Sequence, residues 1–142
     1  MSKYFFLLAF CFAANVFPVT AKVSTVSAPI DNPIKKIVKE IAKSNVYEIR
    51  STAGSRETAS QQSSRFQQLL QISSIDDLTE LATKNKNAVV RLYAFNGLVN
   101  KLKDVPKEIV DQFRTDTTLI YVLNGNETHT IPVNKVASGL LY

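Results

Sequence analysis

Side chains that commonly carry out chemistry in proteins are sparse in this chain. His129 is its single histidine and lies between two threonines, with no cysteine and no cluster of carboxylates nearby in the sequence. A metal site or a general base needs such partners within reach. We therefore expect His129 to be an ordinary surface residue.

The densest acidic group consists of Asp76, Asp77 and Glu80. It lacks the alternating ligands and the turn glycine of a calcium-binding loop. These residues instead lie at the start of a predicted helix, where the helix dipole favours negative charge. Among the serines, Ser55 and Ser138 occupy no nucleophile-elbow motif, and a triad would have to use the single histidine. The sequence thus predicts no catalytic residue, no metal ligand, no cofactor-binding residue and no cofactor.

Residues 1–21 have the three-part pattern of a cleaved secretory signal. Lys3 precedes an apolar run of about 14 residues, Pro18 ends that run, and Ala21 is the small residue before the expected cleavage site. The run is shorter than the roughly 20 residues that a membrane-spanning helix needs. We predict export to the periplasm, the cell envelope or the exterior, with no transmembrane segment after cleavage.

Cys11, the only cysteine, lies within this apolar run and follows the bulky Phe10. A lipid-attachment site would have a small residue at that position, so a lipoprotein is not expected. Cleavage after Ala21 would leave the exported chain without cysteine. Its stability would then come from packing, without disulfides or thiolate metal sites.

The formal net charge of the chain is +5, and loss of Lys3 with the signal would leave 5 − 1 = +4. The basic residues are scattered, without a run of like charges and without interleaved aromatic residues. We interpret them as a solvated surface and expect no nucleic-acid partner. Binding of the basic faces to an envelope surface is the alternative.

Apolar residues recur at helical spacing along most of residues 33–142, which we interpret as a single helical domain behind an extended arm at 22–32. Predicted helices span residues 33–44, 57–72, 74–84, 88–102 and 106–113, with a short final helix at 133–141. Residues 46–49 are compatible with either a short strand or a connector.

The centre of this prediction is residues 74–102, two helices joined by a tight polar turn. Ser74 and Asp77 have the spacing of a capping box, with Asp in place of the usual Glu or Gln. The helix at 88–102 is the most apolar element of the exported chain. We expect it to pack on more than one side, with Tyr93 and Phe95 in the core and the helices at 57–72 and 106–113 covering its open sides.

In the C-terminal part, residues 118–123 are rich in β-branched and aromatic side chains, which favour a strand. Asn124-Gly125 is a strong two-residue turn signal, and residues 126–131 alternate as a return strand would. These features predict a β-hairpin. A helix continued to residue 123 and followed by an irregular return is the alternative.

The turn and second helix at the centre resemble a HEAT-type repeat. The resemblance is carried by Asn85-Lys86-Asn87-Ala88-Val89-Val90-Arg91, followed by Ala94 and Leu98. It covers one repeat, residues 74–102, and implies a mostly helical fold of stacked antiparallel hairpins. Because Asn85 and Asn87 replace the usual acidic residues, Arg91 is expected to hydrogen-bond to its own turn without a charge pair.

HEAT-like hairpins build surfaces that bind proteins. The resemblance therefore implies a non-enzymatic exported module for protein–protein interaction or scaffolding, with another protein as partner. An envelope-binding protein using its basic faces, or a hydrolase whose residues gather only in three dimensions, are the alternatives. The oligomeric state is not indicated by the sequence.

Overall fold

The structure, a computed structural model, describes residues 32–49 and 60–142. The predicted signal, the predicted arm except Asn32, and Ser55 lie outside these residues. The described elements are the helices α1 (Pro33–Ser44), α2 (Gln61–Ile72), α3 (Ile75–Lys84), α4 (Ala88–Lys101), α5 (Lys107–Thr115) and α6 (Val133–Leu140), and the strands β1 (Val46–Ile49), β2 (Leu119–Asn124) and β3 (Glu127–Pro132).

Capping interactions define both ends of helix α1. The Asn32 side chain accepts a hydrogen bond from the Ile34 N–H at 3.0 Å, and Pro33 occupies the first helical position. Asn45 ends the helix in the left-handed conformation, with φ of 50°, and donates its N–H to the Ile41 carbonyl. Asparagine tolerates this conformation better than most residues. The bounds predicted for this helix are confirmed.

The capping box of α3 is also confirmed. The Asp77 N–H donates to Ser74 Oγ at 3.1 Å, and the Ser74 N–H donates to Asp77 Oδ2 at 2.9 Å. Hydrogen bonds from the Ser74 side chain and backbone hold the pKa of Asp77 below its usual value. Leu78 and Ala82 of this helix are buried, whereas Ile75 is exposed.

Helix α4 is the centre of the described core. It packs against α3 and also against α1, α6 and β1. This confirms that α4 is covered on several sides. The sequence predicts that the helices at 57–72 and 106–113 provide this cover, but much of it comes from α1, β1 and α6, which are more distant in sequence. Its buried residues are Val89, Val90, Leu92, Tyr93, Ala94, Phe95, Gly97 and Leu98.

The three strands form one mixed sheet in the order β1-β2-β3. β1 pairs with β2 in parallel, with Val46 opposite Tyr121, and β2 pairs with β3 in antiparallel fashion. The hairpin prediction is confirmed, but its turn lies one residue later than expected. Because Asn124 pairs with Glu127, the two loop residues are Gly125 and Asn126, and Gly125 has a positive φ of 59°. Glycine is favoured at this first loop position because it adopts positive φ without steric cost.

The described fold is thus mostly helical with a small three-stranded sheet. One buried cluster includes side chains of all six described helices and of β1 and β2, with Ile131 of β3 packed against it. The sequence predicts the hairpin but not the parallel pairing of β1. Four residues give a weak strand signal, and each residue of β1 pairs with one that lies 75 positions later in the chain, such as Val46 with Tyr121.

The close approach of α3 and α4 generates a prediction. A Cβ atom added to Gly97 would lie 3.1 Å from both methyl carbons of Leu78 and 3.3 Å from a methyl carbon of Leu70. We expect Gly97→Val to lower the free energy of unfolding by about 1–3 kcal/mol because it overpacks this contact. Urea denaturation measures the change.

The matched control is Gly139→Val, at a helical glycine with no atom within 4 Å of an added Cβ. Its stability should stay within about 0.5 kcal/mol of the wild type, as is usual for surface substitutions. Equal losses in both variants would show that the contact with Leu78 does not decide the effect.

Candidate functional site: an aromatic cleft between α2 and α6

Residues of β1, α2, α4, β3 and α6 line a cleft of about 620 Å³. This lies within the range of roughly 300–1,000 Å³ that is typical of ligand sites. Its apolar lining consists of Tyr47, Ile49, Phe66, Tyr93, Ile131, Val136 and Leu140, and its polar lining of Glu48, Ser63, Gln67, Asn96, Asn100 and Lys135.

The spacing of the lining residues along each element follows from the geometry of that helix or strand. Helix α4 contributes Tyr93, Asn96 and Asn100, which are three and seven residues apart and so share one helical face. β1 contributes Tyr47 and Ile49, whose side chains point to the same face of the strand. The cleft therefore forms where one face of α4 meets β1, which also contributes Glu48 between these two residues.

Three aromatic rings pack together behind one side of the cleft and are almost fully buried, with Tyr47 and Tyr93 each 2% exposed and Phe66 9% exposed. The Tyr93 ring centroid lies 4.7 Å from that of Tyr47 and 5.1 Å from that of Phe66, and both pairs are tilted. Tilted aromatic pairs at these distances add about 0.5–1.5 kcal/mol to the burial of their area. The three rings therefore join β1, α2 and α4 into one wall.

The hydroxyl of Tyr93 also fixes β1 against α4. It accepts the Glu48 N–H at 2.9 Å, and the Gln62 side chain donates to the Val46 carbonyl at 2.8 Å. Both backbone groups lie on the edge of β1 that faces away from β2. Side chains thus satisfy part of a strand edge that would otherwise need another strand or water.

A short chain of amides continues along α4. Asn100 Nδ2 donates to Asn96 Oδ1 at 2.7 Å, and Asn96 Nδ2 donates to the Tyr47 hydroxyl at 2.8 Å. Asn100 lies at the exposed end of this chain. Its own side-chain oxygen forms no hydrogen bond with the part of the protein that the structure describes, so it can accept one from a bound molecule.

The two tyrosines of the cleft are neutral at physiological pH. Burial raises the pKa of Tyr47 to about 12, and the hydrogen bond from Asn96 opposes this shift only in part. Burial likewise raises the pKa of Tyr93 above its usual value. Both hydroxyls therefore keep their protons and act as hydrogen-bonding groups, not as phenolate bases or nucleophiles.

Two charged residues line the cleft. Glu48 accepts a hydrogen bond from the hydroxyl of Ser60, the residue that caps the N-terminus of α2. The positive end of the α2 dipole therefore lies beside this carboxylate and offsets its charge. Lys135 is exposed on α6 and forms no ion pair with any residue in the described ranges.

The residues singled out in the sequence lie elsewhere. His129 is exposed on β3, with Nε2 at 3.3 Å from Glu127 Oε2. Ser138 is also exposed, and its hydroxyl donates to the Asn134 carbonyl at 2.7 Å. The described part of the chain does not bring these groups together into a triad, and it contains no group of three or more acidic, histidine or cysteine residues that could hold a metal ion.

The two aromatic residues of α4 differ in role. Phe95 is fully buried and stacks on Phe113 of α5, with ring centroids 4.2 Å apart. Tyr93 is 2% exposed, yet it lines the cleft. The prediction that Tyr93 and Phe95 lie in the core is confirmed, and Tyr93 also borders the candidate site.

Arg91 contacts its own turn, but not in the way that the resemblance implies. Its Nη1 donates to the backbone carbonyls of Asn85 and Lys86 at 3.1 and 3.3 Å. It also has a charge pair that the sequence does not predict, because Nη2 lies 2.7 Å from Asp116 Oδ2. Asp116 follows α5, so the ion pair ties the α3–α4 turn to the segment that leads into β2.

This ion pair gives a pH-dependent prediction. Burial by itself raises the pKa of Asp116, but hydrogen bonds from Thr118 and Arg91, together with the Arg91 charge, outweigh it and lower the pKa below its usual value. The resulting stabilisation is present above the unfolded-state pKa of about 4 and is lost as the pH falls through the folded-state value. We expect Asp116→Asn to lower the free energy of unfolding at pH 7 by about 1–3 kcal/mol.

Urea denaturation of both proteins from pH 7 down to about pH 2.5 tests this, and their difference should shrink below about pH 4. Asp104→Asn, at an exposed carboxylate, is the control and should change little at any pH. If the difference in the free energy of unfolding between the wild type and Asp116→Asn stays constant with pH, then hydrogen-bond geometry, and not the charge of Asp116, accounts for the difference.

Sequence reasoning missed the cleft as a site. The available signal was Asn96 and Asn100, which interrupt the apolar sequence of α4 at a spacing of four. That spacing indicates a polar stripe, but it does not indicate which elements face it. The contributions of β1 and α6 depend on the tertiary fold.

Comparison with protein-family models, with curated proteins and with solved structures finds no match for this chain. The HEAT-like resemblance therefore stays a prediction. No described helix combines the length and the apolar character that crossing a membrane requires.

Proposed function

We propose that the protein is an exported, non-enzymatic binding module that recognises a partner protein through the cleft between α2 and α6. The observation that carries this proposal is the aromatic wall of Tyr47, Phe66 and Tyr93 beside the amides of Asn96 and Asn100. Aromatic surface with nearby hydrogen-bonding groups is the composition of energetically important protein–protein contacts. An apolar side chain of the partner fills the cleft, and its peptide groups bond to the amides.

A binding role agrees with the chemistry of the lining. The two phenols are held neutral by burial, and the Glu48 carboxylate is engaged by Ser60. A nucleophile paired with a base, as acyl transfer requires, is not assembled among the described lining residues. The signal-like segment at residues 1–21 supports action outside the cytoplasm, and the HEAT-like turn supports a protein partner.

Gly139 offers a direct test because it lines the cleft and has no atom within 4 Å of an added Cβ. Tryptophan at this position can occupy the cleft without displacing the core. Peptides selected from a displayed random library on the purified wild-type protein should bind Gly139→Trp at least about tenfold more weakly, a loss of about 1.4 kcal/mol.

The matched control is Gly139→Ala, which adds one methyl group and leaves most of the cleft open. It should bind the same peptides as the wild type does, and helix propensity predicts equal or slightly higher stability. Thermal denaturation establishes that both variants are folded. Selected peptides that bind Gly139→Trp and the wild type equally would refute the cleft as the binding site.

A further inference from the structure

We infer that the partner segment carries a carboxylate beside its apolar side chain, and that Lys135 binds this carboxylate at the edge of the cleft. This inference rests on the proposed function and specifies the chemistry of the partner. It concerns an acidic-apolar segment of a protein. Three observations on the cleft support it.

The first observation is the charge balance of the lining. Lys135 and Glu48 are the two charged residues among those that line the cleft. The Glu48 carboxylate is bonded to Ser60 at the positive N-terminus of α2, whereas Lys135 has no carboxylate partner in the described residues. The side of the cleft formed by α6 therefore presents uncompensated positive charge.

The second observation is the position of Lys135 within α6. It is the third residue of a helix that begins at Val133, and the first two N–H groups of that helix, those of Val133 and Asn134, donate to the backbone carbonyls of Thr118 and Asp116. The dipole makes a cation unfavourable in the first turn. A bound anion would be attracted by the lysine, so it would offset the electrostatic cost that Lys135 imposes at this end of the helix.

The third observation is that apolar surface lies next to this charge. Val136 and Leu140 lie four residues apart on one face of α6, adjacent to the face that carries Lys135, and both line the cleft. A segment that places an aromatic or branched side chain in the cleft can therefore reach Lys135 with a carboxylate two residues away, because side chains at positions i and i+2 of an extended chain point to the same side, roughly 7 Å apart.

The amides define the orientation of the segment. Asn100 lies at the open end of the hydrogen-bonded chain through Asn96 to Tyr47. Its oxygen can accept a peptide N–H, while the cation on α6 takes the carboxylate. An uncharged segment would use only the first of these contacts, and a basic segment would be repelled by the second.

The experiment repeats the library selection on wild-type protein and on Lys135→Glu. Wild-type protein should enrich peptides with Asp or Glu within two positions of an aromatic or branched residue. Replacing that acid by its amide should weaken binding at least about fivefold, and affinity should fall as ionic strength rises from about 0.05 to 0.5 M. Lys135→Glu should bind the acidic peptide more weakly and enrich Lys or Arg at the same position.

The control is Lys103→Glu, which changes the net charge equally at an exposed lysine outside the cleft. It should retain the acidic preference. The inference would be overturned, and the proposed function left intact, by selected peptides whose binding is blocked by Gly139→Trp but which show no preference for acidic residues. Peptides whose affinity is unchanged by Lys135→Glu would have the same meaning. Failure of Gly139→Trp to block any selected peptide would instead overturn the proposed function.

Discussion

The structure depends above all on removing α4 from water. Eight of its 14 residues are buried, and each large apolar side chain that is fully buried contributes roughly 1.5–3 kcal/mol. The caps that delimit the individual helices contribute about 1 kcal/mol each. Packing around α4 therefore outweighs local helix signals, and the elements that cover it come from both ends of the described chain.

The cleft lies where this cover is incomplete. α3, α1 and α6 pack around α4, while its face with Asn96 and Asn100 borders open space between α2 and α6. Polar side chains on that face reduce the cost of leaving it partly hydrated. The same helix thus supplies the centre of the core and, where it borders the cleft, the amides of Asn96 and Asn100.

The local elements could be predicted because their signals are local, whereas the site could not. Asn32-Pro33 determines the start of α1, and Ser74 with Asp77 determines the start of α3. The hairpin register differs from the prediction by one residue because asparagine and glycine at 124–126 all suit turns. Only the pairing of Asn124 with Glu127 distinguishes the two registers. The hydrogen bond from Asn96 to Tyr47 spans 49 residues, and no periodicity in the sequence reports such a pairing.

The hydrogen bonds at the outer edge of β1 affect how copies of the chain can associate. Open-ended growth of a β-sheet needs a free edge on both sides of each copy. Gln62 and Tyr93 already occupy backbone groups of Val46 and Glu48 on the β1 edge. Pairing of another strand along β1 would have to replace these two hydrogen bonds, which disfavours the open-ended growth that uses both edges of each copy.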